Sequence, residues 1–238
     1  MPKERLIDLL LKDEIIQNKY KIIQEVDTTS YYHGFQHISN VIKILEKFIE
    51  LFNIDEQNAE KLKIAILFHD IGREETGKNH ELKSAEFMKK HLNTKYDISK
   101  FGFTKNDLDE IYEAIRLHEQ KENLENLTFF QLLVNFVDKL DVTKERVNLN
   151  NPLNPELPSY KYDILREIYL DVYEVNIIIE DTNFIIEFEG NENLTLERLY
   201  SIPFMQRVDK LHKEFSKRNG LNAKVRIKNQ DYNLKKRK

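Results

Sequence analysis

The sequence predicts a mainly α protein with a small α+β element at its C-terminal end. Apolar residues recur at helical spacing through most of the chain, as in Ile38, Val41 and Leu45. Beyond residue 173 the pattern changes to short runs rich in β-branched and aromatic residues. We therefore expect a helical domain over 1–172 and an α+β element over 173–238.

The composition is typical of a helix-rich protein that can bury a substantial core. Of the 238 residues, 40% are hydrophobic and 33% are charged. The absence of cysteine excludes disulfides and thiolate-bound metals, so a metal must be held by His, Asp and Glu. The charged N-terminus and the lack of an apolar run of about 18 residues predict a cytoplasmic protein without a signal peptide or a membrane contact.

Helical segments follow one another through the first domain. The predicted helices span 1–25, 37–53, 55–69, 81–92, 105–119, 128–147 and 161–173. Their candidate N-caps are Asp55, Thr104 and Thr128. The polar stretch from Gly72 to Asn79 and the Asn/Pro-rich segment 148–160 are predicted to be loops.

The C-terminal element reads as a hairpin, a helix and a strand. The predicted strands and helix are 175–179, 184–188, 195–218 and 223–227, with a turn over 180–183. Because this element holds only one histidine, His212, and no ligand cluster, we expect it to act as a lid, a dimer surface or a partner-docking element and not as a second enzyme.

Charge is distributed unevenly along the chain. The formal net charge is −4, yet residues 210–238 carry +9, which leaves about −13 on the rest. The basic tail Lys235–Lys238 is expected to be a solvated terminus. Contact with nucleic acid or another acidic partner is the alternative.

A His-Asp pair closes the apolar run Ile64–Phe68 and indicates the chemistry of the chain. Burying the carboxylate of Asp70 without a partner would be costly. His37 lies upstream and Asp138 downstream, each among apolar neighbours. Imidazoles and carboxylates on separate helices predict a site for a divalent ion, which could be Mn, Fe, Co, Ni, Zn or Mg.

These motifs resemble the HD-domain superfamily of metal-dependent phosphohydrolases over residues 30–147. The residues that carry the resemblance are His37, Phe68-His69-Asp70-Ile71-Gly72-Arg73 and Val137-Asp138-Lys139-Leu140-Asp141. The resemblance implies an HD-type helical bundle with metal held by His37, His69, Asp70 and Asp138. It also implies that a metal-activated water hydrolyses a phosphomonoester or phosphodiester, with a nucleotide as the default substrate. The alternative is a non-catalytic nucleotide-sensing or scaffold module with the same fold.

Two further histidines, His80 and His118, resemble motifs that hold a second metal in some HD enzymes. In a one-metal pocket they would instead bind phosphate or act as acids. Arg73 follows the doublet and is predicted to bind phosphate through its guanidinium, with a plain surface arginine as the alternative. The expected catalytic set is therefore Asp70, His80, His118 and Arg73. Other candidate phosphate ligands are Lys83, Arg116, Lys139 and Arg146.

The stretch His33-Gly34-Phe35-Gln36-His37 is similar to one shared by bacterial effector phosphodiesterases that act on phosphoribosyl-linked protein. A phosphodiester on a modified protein is therefore an alternative substrate, beside a cyclic dinucleotide or a phosphorylated small molecule. The Glu-Asp pair typical of (p)ppGpp hydrolases is replaced by Glu74-Glu75, which disfavours that substrate. The absence of a Gly-Tyr-Pro element disfavours the signalling phosphodiesterases that carry one.

Some polar residues near these motifs have weaker indications. Asp141 is expected one helical turn after Asp138, either orienting a ligand or lying on the surface. Glu74 and Glu75 are expected to be solvated charges, with a general base as the alternative. The residues to which we assign no chemistry are His91 and His212.

Overall fold

The predicted mainly α fold is confirmed, with a small sheet near the C-terminus. The computed structural model describes residues 5–26, 33–74, 79–147 and 166–229. The chain divides into two compact units, of which the first ends at Asp138 and the second continues from Lys139. The boundary expected at residue 172 stays a prediction about domain organisation.

The helices of the first unit follow the predicted order, with ends shifted by a few residues. They are α1 (Leu6–Leu10), α2 (Glu14–Val26), α3 (Phe35–Leu51), α4 (Glu56–Phe68), α5 (His80–Lys95), α6 (Lys105–Arg116) and α7 (Phe129–Asp138). Short 3-10 helices lie at Ile71–Glu74, Ile98–Phe101 and Leu124–Asn126.

The predicted N-caps are present. Asp55 accepts a hydrogen bond from the Asn58 amide at 2.9 Å, and Thr104 forms a reciprocal capping box with Asp107. Thr128 Oγ1 accepts from the amide of the residue three positions later at 3.2 Å. These caps bind amide groups that a helix N-terminus would otherwise leave without partners.

The helix predicted over 1–25 is interrupted at Asp13. One carboxylate oxygen of Asp13 accepts from the Ile15 amide at 2.9 Å, which caps α2. The other oxygen accepts from Tyr96 OH at 2.7 Å and lies 2.8 Å from His91 Nε2. A buried carboxylate requires these donors, and meeting them takes precedence over continuing the apolar periodicity.

The helix predicted over 128–147 ends at Asp138, so Asp141 does not lie one helical turn after Asp138 on the same helix. Leu140 and Val142 are apolar and buried, so the apolar pattern of the sequence continues past the end of the helix. The backbone there makes a tight turn, in which the Val142 amide donates to the Leu140 carbonyl at 2.9 Å. A short 3-10 helix follows at Lys144–Arg146.

The second unit contains a sheet and the helices that accompany it. Its described elements are α8 (166–171), β1 (Val172–Glu180), β2 (Asn183–Gly190), α9 (Leu196–Tyr200), α10 (Pro203–Arg218) and β3 (Asn222–Asn229). Among them β1 pairs antiparallel with β2, and β3 pairs parallel with β2. Asp181, with a φ of 53°, lies at the hairpin turn. The helix predicted over 195–218 is divided because Pro203 begins a new helix.

Aromatic residues pack α10 onto the sheet. The Phe184 ring lies 5.6 Å from the ring of Phe215 and 5.0 Å from that of His212, between centroids. The loop predicted at 148–160 and the basic tail Lys235–Lys238 lie outside the described residues. No helix in the described part of the chain is long and apolar enough to cross a membrane.

Candidate metal centre

Two histidines and a carboxylate from three helices meet inside the first unit. His37 lies on α3, His69 directly follows α4, and Asp138 ends α7. His37 Nε2 is 3.1 Å from Asp138 Oδ1 and 3.4 Å from His69 Nε2. His69 Nε2 is 3.3 Å from Asp138 Oδ1 and 3.4 Å from Asp70 Oδ2. The four residues that the HD resemblance implies therefore form one group, which we call the first cluster.

His80 and His118 form a second cluster with Asp70. His80 is the first residue of α5, and His118 lies just beyond the end of α6. Their Nε2 atoms are 3.2 Å apart. Asp70 Oδ1 is 3.2 Å from His80 Nε2 and 3.7 Å from His118 Nε2. Oδ2 of Asp70 thus faces the first cluster, and Oδ1 of Asp70 faces the second.

The donor atoms are close enough to share cations. Within the described residues, three overlapping groups have ligand atoms that all lie within 4.8 Å of one another. These groups are His37, His69 and Asp70; His69, His118 and Asp138; and Asp70, His80 and His118. All six residues are buried, so a cation here would be surrounded by protein oxygen and nitrogen atoms.

Backbone carbonyls orient two of the imidazoles. His69 Nδ1 is 2.8 Å from the Ile66 carbonyl, and His118 Nδ1 is 2.6 Å from the Ile115 carbonyl. Because a carbonyl can only accept, each Nδ1 must carry the hydrogen. In the neutral imidazole Nε2 then presents its lone pair to the cluster, as a metal ligand requires.

The electrostatics of the first cluster favour a cation. Burial disfavours charge on Asp70, but Arg73 and the histidines outweigh it and hold the pKa of this carboxyl well below its usual value. Burial also opposes protonation of His69, yet Asp70 and Asp138 raise the pKa of its imidazole to about 10. The His69 proton therefore balances the carboxylates, and a divalent cation would replace that proton on binding.

Gly72 allows α5 to approach the His-Asp doublet closely. A Cβ atom at this position would lie 2.6 Å from the His80 carbonyl oxygen and 2.7 Å from the Ser84 amide nitrogen. The Gly72 amide itself donates to Ser84 Oγ at 2.9 Å. His80 lies beside Asp70 at this close approach, and a side chain at position 72 would meet the backbone of α5 there.

A family comparison covers the segment that contains both clusters. The model of the SidE phosphodiesterase (PDE) domain matches residues 19–181, which is more than half of the chain. The chain belongs to this family. The match contains every residue of the two clusters, while β2, α9, α10 and β3 lie beyond its C-terminal end.

Other comparisons add nothing to the SidE phosphodiesterase assignment. A solved structure from an uncultured Thermotogales bacterium, described as a predicted HD superfamily hydrolase, is 23% identical to this chain. The similarity covers 59% of this chain and 75% of the other, with a TM-score of 0.39, and it says nothing about activity. No curated protein matches.

The resemblance inferred from the motifs is confirmed on two levels. The residues that carry it converge in the structure, and the chain is a member of a phosphodiesterase family. The coarser functional prediction, a phosphohydrolase-type domain with buried His and Asp groups that could hold a metal, therefore stands.

The structure brings some of the candidate phosphate-binding residues of this SidE-type domain close to the clusters. Arg73 Nε is 2.7 Å from Asp70 Oδ1, and its side chain is 23% exposed. Lys83 lies in the first turn of α5 beside Gly72. Arg116 is exposed on α6 and forms an ion pair with Glu113, so it is not grouped with the buried clusters.

Other predicted residues belong to the second unit or lie outside the described residues. Lys139, Asp141 and Arg146 belong to the second unit, where Arg146 Nη1 donates to the Asp141 carbonyl at 3.1 Å. Glu75 lies outside the described residues, as does the side chain of Glu74. Their suggested roles stay predictions.

The remaining histidines have local partners. The buried His33 ring lies 6.3 Å from the His37 ring, between centroids, which places it beside the first cluster. His91 Nε2 contacts Asp13, and His212 Nε2 lies 2.9 Å from the Phe184 carbonyl. These contacts explain the burial of His91 and His212 without metal chemistry.

Sequence reasoning missed Glu119. Its Oε1 lies 3.8 Å from His118 Nε2, and its side chain is 28% exposed. It therefore places a carboxylate at the accessible side of the second cluster. Its position next to His118 in the chain was the available signal, but an acidic residue near a helix end is usually a solvated one.

Proposed function

We propose that this SidE-family chain is a divalent-metal-dependent phosphodiesterase of HD type. The observation that supports the proposal is the convergence of four buried imidazoles and two buried carboxylates from five helical segments. Protein folding tolerates this concentration of polar groups in a core only when each is compensated. A cation would compensate the carboxylates and accept the nitrogen lone pairs.

The donor set fits one or two hard-to-borderline divalent ions. In the proposed site His37, His69, Asp70 and Asp138 would hold one ion, and Asp70, His80 and His118 would hold a second. Such an ion supplies Lewis acidity, which lowers the pKa of a coordinated water and polarises a phosphoryl oxygen. The alternative is a single ion in the first cluster, with His80 and His118 binding the phosphate.

The other side chains would position and stabilise the phosphate. Hydrolysis forms a bond between phosphorus and the oxygen of a water, breaks one phosphorus–ester oxygen bond and returns a proton to the leaving oxygen. Arg73 stays charged, since Asp70 beside it raises the pKa of its guanidinium despite burial. A charged guanidinium at this place would stabilise negative charge that develops on the phosphoryl oxygens.

A phosphodiester is the proposed substrate class because the family is a phosphodiesterase family. We propose a nucleotide-type diester, with a phosphodiester on a modified protein as the alternative. The similarity of the His33–His37 stretch to effector phosphodiesterases supports keeping both substrates in the test.

A metal-resolved hydrolysis panel tests the proposal. Metal-free protein is reloaded separately with Mn²⁺, Fe²⁺, Co²⁺, Ni²⁺, Zn²⁺ or Mg²⁺ and given matched monoesters and diesters. The panel contains nucleoside monophosphates and triphosphates, cyclic nucleotides, dinucleotides and a phosphoribosyl-linked protein. We expect metal-dependent release of phosphomonoester from at least one diester. Nucleotide binding without turnover by any metal form would favour the sensing module and overturn the proposal.

A further inference from the structure

Two helix ends in the first unit share one construction. α4 ends at Phe68 and is followed by His69, and α6 ends at Arg116, two residues before His118. In both cases Nδ1 of the imidazole donates to the carbonyl three residues earlier in the chain. Carbonyls in the last turn of a helix lack amide partners within the helix, so they are available to these rings.

At each helix end, a second carbonyl one or two residues further along the chain is bound by a side chain from another helix. Tyr20 OH donates to the Leu67 carbonyl at 2.5 Å. Asn135 Nδ2 lies 3.3 Å from the Leu117 carbonyl oxygen and 2.8 Å from that of Gln120, and donates to both. Tyr20 and Asn135 are 1% and 0% exposed, so water does not substitute for either donor.

We propose that Tyr20 and Asn135 are positioning residues, which set the direction of the His69 and His118 imidazoles through the last turns of α4 and α6. Each ring is hydrogen-bonded to a carbonyl of the turn that the donor holds. A rotation of that turn would therefore carry the ring nitrogen away from its cluster. What the clusters bind rests on the proposed function; the positioning itself does not.

The two donors also link each helix end to a neighbouring part of the site. The Tyr20 ring packs edge-on against Phe35 with 5.1 Å between centroids, and Phe35 begins the helix that carries His37. Asn135 lies three residues before Asp138 on α7, which places both on one side of that helix. Each donor therefore joins helices that carry ligand-type residues of the clusters.

The chain offers a matched control for Tyr20. Tyr96 OH also donates a hydrogen bond in this unit, at 2.7 Å to Asp13, but no cluster histidine lies at that helix end. Tyr20→Phe and Tyr96→Phe each remove a phenolic hydroxyl and the hydrogen bond that it donates, to a backbone carbonyl in the first case and to a carboxylate in the second. A merely structural role for Tyr20 predicts equal consequences for the imidazoles in the two variants.

Imidazole ¹⁵N spectra of the metal-free full chain at one fixed pH provide the decisive measurement. We expect Tyr20→Phe to move the His69 nitrogen signals and leave those of His118 in place. Asn135→Leu should do the reverse, and Asn135→Ser serves as a milder second variant. Tyr96→Phe should move neither. Unchanged His69 signals in Tyr20→Phe, or an equal shift in Tyr96→Phe, would overturn the positioning role of Tyr20.

Titration with Mn²⁺ or Co²⁺ gives a second readout. Residues that orient ligands typically change metal affinity by about 10-fold to 100-fold, so we expect Tyr20→Phe to weaken binding by about 10-fold and Tyr96→Phe to leave it unchanged. If the wild-type chain binds no divalent ion, the proposed function fails. The imidazole spectra still decide the positioning in that case.

Discussion

Each of the two units buries a histidine completely, but one imidazole is charged and the other is neutral. His69 in the helical unit and His212 beneath the sheet are both 0% exposed. Asp70 and Asp138 overcome the effect of burial at His69 and raise the pKa of its imidazole to about 10. At His212 burial dominates, and the pKa of the imidazole falls to about 4.

The difference shows that neighbours, and not burial itself, decide what a core histidine does. His212 Nε2 faces the Phe184 carbonyl, a neutral acceptor, and its ring packs against the Phe184 ring as an apolar group would. His69 faces two carboxylates on the side opposite its own carbonyl contact. The helical unit therefore has charge to exchange for a cation, whereas the described part of the second unit uses its histidine in packing.

Removing the Asp70 carboxylate, which the two clusters share, should have the largest effect on the difference between His69 and His212. We expect Asp70→Asn to abolish metal binding and reduce diester hydrolysis by more than about 100-fold, beyond the loss typical of residues that only orient ligands. The variant also removes one of the charges that raise the pKa of His69, so that pKa should fall toward its ordinary value. Elemental analysis and the imidazole titration curve measure the two effects.

Asp13→Asn is the matched control for Asp70→Asn. It removes a buried carboxylate charge in the same unit at a site where the partners are Lys95, Tyr96 and His91. Stability should fall, because donors around Asp13 lose a charged acceptor, but the metal content should stay at the wild-type value. Wild-type metal content in Asp70→Asn would remove Asp70 from the site.

The number of metal ions should respond to the second cluster. If two ions bind, the double variant His80→Ala and His118→Ala should retain one ion, with turnover reduced by about 100-fold or more. The first cluster keeps its own set of donor atoms in this variant, which is why one ion should remain. Full stoichiometry in the double variant would contradict a second ion held by these histidines.

The site residues could be predicted from sequence because their signal is local. His69 and Asp70 close an apolar run, and His37 and Asp138 stand among apolar residues in an order that resembles a known family. A polar residue with metal-binding capacity inside an apolar segment is conspicuous without any knowledge of tertiary contacts. The motif order also identified His80 and His118, which the structure brings together with Asp70.

The supporting residues could not be predicted because their partners are distant in sequence. Tyr20 is 47 residues from the carbonyl that it binds, and it shares the helical spacing of Ile16 and Ile23, so the pattern indicates a core residue. The division of the first helix could not be predicted for the same reason. Asp13 is held by His91, which lies on α5, and by Tyr96, which follows α5. Periodicity reports which face is buried but not which polar atoms need partners there.

Replacing Gly72 should disturb the second cluster through its geometry, without removing any ligand-type side chain. The methyl group of Gly72→Ala would meet the backbone of α5 at His80 and Ser84, which cannot move aside as a side chain can. We expect His80 to shift away from Asp70 and metal affinity at the second cluster to fall by roughly 10-fold to 100-fold. Isothermal titration with Mn²⁺ measures the loss.

Gly220→Ala in the second unit provides the comparison for Gly72→Ala. Its Cβ would meet nothing within 4 Å, although its φ of +67° makes alanine strained there. The expected result is a loss of stability with metal affinity unchanged. An equal loss of affinity in both glycine variants would show that the Gly72 effect is a general destabilisation.

Acid should destabilise the second unit, because the folded chain keeps His212 neutral. We expect this effect to be the smallest of the series. Because its folded-state pKa of about 4 lies below the ordinary 6.5, the unfolded chain binds more protons between these values. The free energy of unfolding of the second unit should therefore fall as the pH drops from 6.5 toward 4, by up to about 3 kcal/mol. Residue-resolved urea titrations that follow β2 amides at several pH values measure this change.

His212→Gln isolates the titration from the packing. Glutamine keeps an N–H that can reach the Phe184 carbonyl but has no proton to gain in this range. We expect some loss of stability at pH 7, because the ring contact with Phe184 is removed, together with a flatter pH dependence down to pH 4. An equally steep loss in the variant would assign the acid sensitivity to other groups, and His212 would then no longer be the neutral counterpart of His69.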